Sequence, residues 1–367
     1  MLPQMRIYED ELVSSGLIRC CRAFRLPFKQ LARDVLGLPG LHPVFFSAYG
    51  LEAVAPLFGT SPDQLLWDHT PFPYATAFTS RKAYERGRDA ALGRTAMAPL
   101  LVILQNATGT VRFRRVCPQC VQEDLEHYGE SYWHRVHNLP GVLTCVRHGC
   151  ALSSTPMAAT GELRTFYELP HECKKSRVGS RAWVFVLAEI ASRSAQLLRR
   201  QRSQGEPRGP NWYRHLAVSN AWLSARRQVD PHQLAKVISG AFPRTYLHKV
   251  GLENLRWASE AFRRERSPTP LSPLKHLILE AALSAEAPVS APHAVLDFVS
   301  SGPPNTASSD LDDFYAPRAH AELSRAVRSG ERLTTEAFLR RIAAHGVYRH
   351  RKQELPKLRE VDLEFRA

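Results

Sequence analysis

Two short knuckles, CPQC at 117–120 and CVRH at 145–148, are separated by 24 intervening residues, and no other feature of the 367-residue chain constrains its folding as much. Each knuckle brings a pair of soft or borderline donors onto one side of a tight turn. The long insert lets the pairs meet, so that Cys117, Cys120, Cys145 and His148 form a Cys₃His tetrahedron of the kind Zn²⁺ accepts. Four protein ligands leave no open position for a substrate, so the expected zinc, one per chain, is structural. The competing reading is that these are ordinary buried cysteines and a surface histidine.

The insert fits the metal reading. Asp124 and Glu126 lie in a short polar segment, Tyr128, Tyr132 and Trp133 supply bulky cover, and Pro140-Gly141 is a turn that returns the chain to the second knuckle. His134 and His137 lie inside the insert and compete as ligands on type alone. A ligand pair there would leave His148 idle, so they are expected beside the metal or at the surface.

These residues also carry a resemblance. The run CPQC, then EDLEHYGESYWHRVHNLPGVLTC, then HGCAL resembles the zinc-binding core of the TniQ/TnsD family, the target-site selectors of certain cut-and-paste bacterial transposons. The N-terminal stretch adds to it, with a DELxxS start at Asp10 and an element His69-Thr70-Pro71-Phe72-Pro73-Tyr74 ahead of the zinc core. The likeness covers about residues 1–155 and is patchy beyond. It implies a DNA-targeting protein that binds an attachment site in double-stranded DNA, or docks on an RNA-guided CRISPR effector complex, and then recruits an AAA+ ATPase transposition regulator. Strand cutting would belong to those partners, and the protein would be cytoplasmic and nucleoid-associated. Some members carry a second Cys-rich knuckle. Here only Cys150, His171 and Cys173 remain beyond the core, and no second Cys-x-x-Cys appears.

Charge points to a polyanion. Lys plus Arg number 49 against 35 Asp plus Glu, a net +14, and the excess is uneven: residues 1–150 carry 16 basic and 13 acidic side chains, the remainder 33 and 22. Counterion release from nucleic acid rewards such a surface. No lipid-anchor pattern, basic amphipathic terminal helix or apolar run near the ~20 residues of a membrane span is present. The start MLPQMRIYED has no signal-peptide pattern. A soluble protein of a reducing compartment is expected, with Cys20 and Cys21 in a helix core.

The fold expected is mainly α: a helical, helix-turn-helix-like N-terminal unit over 1–110, a small zinc-ribbon core over 111–155, a helical region over 156–300, and a basic helical unit over 301–367. Leu12, Leu17, Ile18, Cys21 and Phe24, then Phe28, Leu31, Val35 and Leu36, recur at near-helical spacing and predict two short helices broken at Pro27. Ser61-Pro62 starts a third, which ends near HTPFPY. This unit is either a DNA reader or a packing module for the zinc core. Arg112, Arg114 and Arg115 form a basic strand-like edge, to touch phosphate or simply to be solvated.

Beyond the core, 181–201 predicts a helix ending in a basic cluster, and RSQGEPRGPNW a linker. Asp230-Pro231 opens a helix that Gly240 and Pro243 close, and PRTYLHKVGL begins its partner. Arg244, Thr245, Tyr246, His248 and Lys249 on that second helix are the side-chain types that reach base edges and phosphates. The alternative is a helical hairpin whose polar face meets only water. Ser272-Pro273 starts another helix, and SSGPPNTASSDLDD at 300–313 is a flexible boundary by composition. Last, Thr334 or Thr335 caps AFLRRIAAHG, whose Arg340 and Arg341 join Arg349, Arg351 and Lys352 in a basic surface for phosphate.

No Gly-rich phosphate loop, placed carboxylate trio, Gly-x-Ser-x-Gly or HExxH motif appears, so no enzyme is expected. A zinc-dependent, sequence-specific transcription regulator is the rival to target-site selection.

Overall fold

The computed structural model describes residues 3–41, 46, 48–159, 167–177, 184–199, 230–262 and 271–286, then 319–320, 323, 334–335, 338–339, 348, 353 and 355–366. They fall into two compact units, Met1–Glu286 and Ala287–Ala367.

Helix α1 (Val13–Ala23) follows from the spacing of Leu17, Ile18 and Cys21, all buried together with Cys20. Both thiols are core groups, pushed up to about 12 by burial. The chain breaks at Pro27, as its missing N–H requires, and restarts as the short α2 (Phe28–Gln30), which runs into a π turn, Leu31–Val35. There the Leu36 amide donates to the Leu31 carbonyl. That extra residue per turn rotates Val35, expected on the apolar face, out to 37% exposure.

Helix α3 (Leu51–Val54) passes into a 3₁₀ turn, and α4 (Pro62–Asp68) begins as predicted, with Ser61 Oγ accepting from the Gln64 amide at 3.1 Å. The prolines of HTPFPY do more than stop α4. Pro71 and Pro73 occupy the start of a new short helix, α5 (Phe72–Thr76), where their missing donors cost nothing, and Thr70 Oγ1 accepts the Phe72 amide at 3.1 Å. Two longer helices follow, α6 (Arg81–Leu92), capped by Ser80, and α7 (Ala98–Thr108).

A three-stranded antiparallel sheet then frames the knuckles. Strand β1 (Phe113–Val116) leads into the first, and β2 (Ser153–Ala158) leaves the second and pairs with β1 on one side and β3 (Ser176–Arg177) on the other. The β1–β2 register slips between Phe113 and Arg115. Pro156 cannot donate to the ladder there, and Thr155 Oγ1 replaces the lost bond by donating to the Arg114 carbonyl at 3.0 Å. Helix α8 (Pro118–Tyr128) starts within the first knuckle.

The later helices pack on the same core. They are α9 (Val184–Arg199), α10 (Pro231–Ala241), α11 (Arg244–Lys249), α12 (Arg256–Glu260) and α13 (Pro273–Glu286). Asp230 caps α10 by accepting the His232 amide at 2.8 Å. One apolar core runs from Leu12 to Leu283, so the boundaries expected at 110 and 155 lie inside a single unit.

Gly141 is the point of closest approach. Its φ is +75°, and a Cβ there would meet Leu274 Cδ1 at 2.5 Å, Tyr246 Oη at 2.8 Å and Ile190 Cγ2 at 3.3 Å. Three helices therefore close on one backbone turn.

In the second unit Ala319, Phe338, Leu339, Tyr348, Leu355, Leu358 and Val361 form a separate core, with α14 at Pro356–Arg366. The Phe338 amide donates to the Thr334 carbonyl, in keeping with a helix starting there. Arg340, Arg341, Arg349, Arg351 and Lys352, the linker after 201 and the segment 300–313 lie outside the described residues. Among the described residues no helix is long and apolar enough to cross a membrane.

Candidate metal centre

Cys117 stands at the end of β1 and is the residue preceding α8, whose first turn carries Cys120. Cys145 and His148 come from the second knuckle, which is tied by the Cys145 amide donating to the Cys150 carbonyl at 2.8 Å and the Gly149 amide to the Cys145 carbonyl at 2.9 Å. The four donor atoms of Cys117, Cys120, Cys145 and His148 lie within 4.8 Å of one another. Among the described residues this is the group that gathers metal donors.

The geometry fits a tetrahedral ion. Bonds of ~2.3 Å to sulfur and ~2.0 Å to nitrogen imply S···S edges of ~3.8 Å and S···N edges of ~3.5 Å. Cys120 and Cys145 Sγ are 3.7 Å apart, and His148 Nδ1 lies 3.4, 3.3 and 3.6 Å from the sulfurs of Cys117, Cys120 and Cys145. Nδ1 is therefore the ring atom turned to the site. Thiols of Cys120, Cys145 and Cys150 donating toward Cys117 hold its thiol far below the ordinary range, and the same contacts raise Cys120 and Cys150. Three sulfurs and one imidazole nitrogen at these spacings are a donor set suited to a cation.

The surroundings orient the ligands. His148 Nε2 donates to Glu123 Oε1 at 2.9 Å, and Arg147 pairs with Glu123 Oε2 at 2.8 Å, so the carboxylate fixes the tautomer that leaves Nδ1 free for a metal. Glu123 had no motif to announce it, but it lies three residues after Cys120 on α8 and so shares its face. His134 and His137 take the places expected beside the ligands. His134 Nε2 bonds Asp124 Oδ2 at 3.0 Å, and His137 Nε2 is 3.9 Å from Cys120 Sγ, its pKa driven well down by burial. Cys150, outside the predicted ligands, lies 3.4 Å from Cys117 Sγ. His171 bonds Ser131 Oγ at 2.8 Å, and Cys173 donates to the Leu169 carbonyl at 3.4 Å.

The motif residues quoted for the N-terminal part converge on this core. The Leu12 amide donates to the Trp133 carbonyl at 3.0 Å, the Trp133 amide to Ser15 Oγ at 3.0 Å, and the Val13 amide to the His69 carbonyl at 2.8 Å. His69 Nδ1 donates to the Glu11 carbonyl at 2.9 Å. Arg135 donates to Asp10 Oδ1 and to the carbonyls of Trp67 and Thr70. Beneath them Arg19 joins Glu11 at 2.9 Å and Glu130 at 2.8 Å and lies 3.9 Å from the centre of the Tyr8 ring, which stacks on Tyr128. Burial pushes the Glu11 carboxyl up to about 7, against the pull of Arg19. Apart from those of Arg19 with Glu11 and Tyr8, these pairings join residues far apart in sequence.

Two expectations require correction. Arg114 and Arg115 are buried rather than forming a basic edge with Arg112: Arg115 donates to the Leu139 carbonyl at 2.7 Å, and the Arg114 guanidinium sits 5.2 Å from the centre of the Trp133 ring. Burial lowers both to about 10. Tyr246, expected among the DNA-facing residues, is fully buried, its hydroxyl donating to the Gly141 carbonyl at 3.2 Å. Its position places it with Leu247 on the inner face of α11, while Arg244, Thr245, His248 and Lys249 are exposed.

A protein similar to this one is the transposon Tn7 transposition protein TnsD of Escherichia coli, 27% identical over 235 residues, which are 60% of this chain and 44% of that protein. The chain thus spans less than half the length of that relative. Residues 2–152 match the TniQ family model, a span that holds α1 to α8 and all four metal-suited donors. The segment that carries the four-donor group is thus the part of this chain that is similar to the TniQ family.

Proposed function

We propose that the chain selects insertion sites for a bacterial transposon, recognising an attachment site in duplex DNA or docking on an RNA-guided complex, and handing the site to an AAA+ ATPase regulator. The observation that carries this reading is the TniQ match at residues 2–152, supported by the likeness to TnsD. The DEL, HT and YWHR stretches meet inside the matched span, around a Cys₃His group suited to one structural Zn²⁺. Such an ion would tie α8 to the second knuckle and hold the platform rigid. The protein's part is recognition and recruitment, and strand cutting belongs to its partners. The likeness to TnsD favours this reading over a transcription regulator built from the same parts.

For direct DNA reading, the exposed side of α11 is the candidate face, with Arg244, Thr245, His248 and Lys249 toward solvent; the basic run of Arg340, Arg341, Arg349, Arg351 and Lys352 is a second candidate that rests on the sequence alone. The test titrates the full chain against a duplex spanning the insertion junction of its own transposon and against a scrambled duplex. A base-edge contact from Arg244 makes Arg244→Ala lose about 1–3 kcal/mol on the junction duplex alone; a phosphate contact weakens both and lowers the salt slope by about 1. Wild-type protein that binds neither duplex, alone or with a guide complex, refutes the reading.

A further inference from the structure

A fourth sulfur, beyond those of Cys117, Cys120 and Cys145, lies at the metal centre. Cys150 Sγ lies 3.4 Å from Cys117 Sγ, nearer than the 3.7 Å that separates the two ligand sulfurs of Cys120 and Cys145. Cys117, Cys120 and Cys145 are buried, whereas Cys150 is only half-buried. The second knuckle holds it in place from both sides, since the Cys145 amide bonds the Cys150 carbonyl and Thr144 pairs with Ala151. The four-donor group is complete without it. The fourth sulfur is thus the less buried one, in contact with Cys117 and outside the four-donor group.

We propose that Cys150 is an oxidation site that couples hydroperoxide to metal retention, through a Cys117–Cys150 disulfide. The Cys150 thiol gives its proton to solvent as its sulfur attacks one oxygen of hydrogen peroxide; the O–O bond breaks, the sulfur becomes a sulfenic acid, and the departing hydroxide takes up a proton and leaves as water. The Cys117 thiolate then attacks the Cys150 sulfur, forming the S–S bond. The departing hydroxide takes a proton from solvent and leaves as a second water. The two sulfurs together lose two electrons and the peroxide gains two. Closure needs the sulfurs to approach from 3.4 Å to ~2.05 Å, a movement within reach of side-chain rotation and a small shift of the knuckle. Cys120, Cys145 and His148 are left as a three-donor set, which no longer satisfies the four-coordinate geometry of a structural zinc. Reduction by a dithiol restores the thiols and the site.

This inference rests on the metal reading of the four-donor group, and the experiment separates the two. Full-length wild type, Cys150→Ser, Cys150→Ala and, as a thiol control, Cys173→Ser are purified with zinc, and the metal content of each is measured first. Each is then exposed to hydrogen peroxide while a colorimetric chelator follows released zinc, and the peptides are mapped for disulfides. The expected result is equal zinc content before oxidation, complete loss from wild type and Cys173→Ser with a Cys117–Cys150 link, regain after dithiothreitol and zinc, and retention by both Cys150 variants over the same exposure. Equal release from wild type and the Cys150 variants overturns the proposal, as does a wild-type disulfide that omits Cys150. Cys150 variants that purify without zinc would make Cys150 a ligand and overturn it too. Absence of zinc from wild type refutes the metal reading instead, and the peptide map alone then decides whether Cys117 and Cys150 pair.

Discussion

Asp10 and Arg135 are 125 residues apart in sequence and clasp each other twice: the Arg135 guanidinium donates to Asp10 Oδ1 at 3.0 Å, and the Arg135 amide donates to the Asp10 carbonyl at 2.7 Å. The Val136 amide takes the second carboxylate oxygen at 3.1 Å. Asp10 makes these bonds from a left-handed backbone, φ 55°, that Asp tolerates better than most residues. Removing the guanidinium takes one donor from the Asp10 carboxylate, at Oδ1, and one from each of the carbonyls of Trp67 and Thr70. Arg135→Leu is expected to cost about 3 kcal/mol in urea unfolding at fixed zinc. A loss below ~0.5 kcal/mol, the scale of an ordinary surface change, would show the clasp to be dispensable.

Glu123 should govern how tightly the centre keeps its metal. Glu123→Ala removes the acceptor that orients His148, and chelator competition is expected to show a roughly 10- to 100-fold weaker zinc affinity. Glu126→Ala, one turn along the same helix and bonded to Gln122 rather than to a ligand, is the control and should leave affinity unchanged.

Stability should fall in mild acid because of His69. Burial lowers its pKa below the ordinary 6.5, while the hydrogen bond to the Glu11 carbonyl opposes that only in part. The unfolded chain therefore binds a proton that the folded chain refuses. The contribution of a neutral His69 is fully present above pH 6.5 and is lost as pH falls below it, by at most ~1.4 kcal/mol per pH unit. Denaturant midpoints of wild type and His69→Gln at pH 7.5 and 5.5 measure this. The variant should show the flatter pH dependence.

Gly141→Ala puts a Cβ against Leu274 and Tyr246 on a backbone of positive φ. The expected cost is more than ~1 kcal/mol. Because α11 and α13 meet the turn there, loss of stability should be accompanied by altered amide exchange in α11, which hydrogen-exchange mass spectrometry reads directly.

The gathering of Cys117, Cys120, Cys145 and His148 was legible because knuckle spacing is local, and Ser61, Asp230 and Pro27 were legible because caps and breaks are local too. What escaped was non-local. Nothing near Arg115 in sequence announces that Leu139 and Asn138 will surround it, so three arginines in four residues read as a solvated edge. Tyr246 reads as one more polar residue on a short helix until the Gly141 carbonyl is found 105 residues away. The π turn that exposes Val35 has no sequence signal beyond a helical period that almost fits. Glu123 and Cys150 were one step from legible, each a short distance along the chain from a ligand.

The bond from Tyr246 to Gly141 limits how this chain can be re-engineered. On the proposed function, the polar face of α11 looks like a portable cassette, a six-residue helix whose Arg244, Thr245, His248 and Lys249 could be exchanged wholesale. Its inner face, however, is moulded on the backbone between the knuckles, and β1 and β2 pair across the position where a truncation after residue 150 would cut. A chimaera joined at that point would sever a sheet and uncover a core. Retargeting by substitution should keep Tyr246 and Leu247 and vary only their exposed neighbours, and a graft of a foreign C-terminal module belongs after Glu286, where the first unit ends.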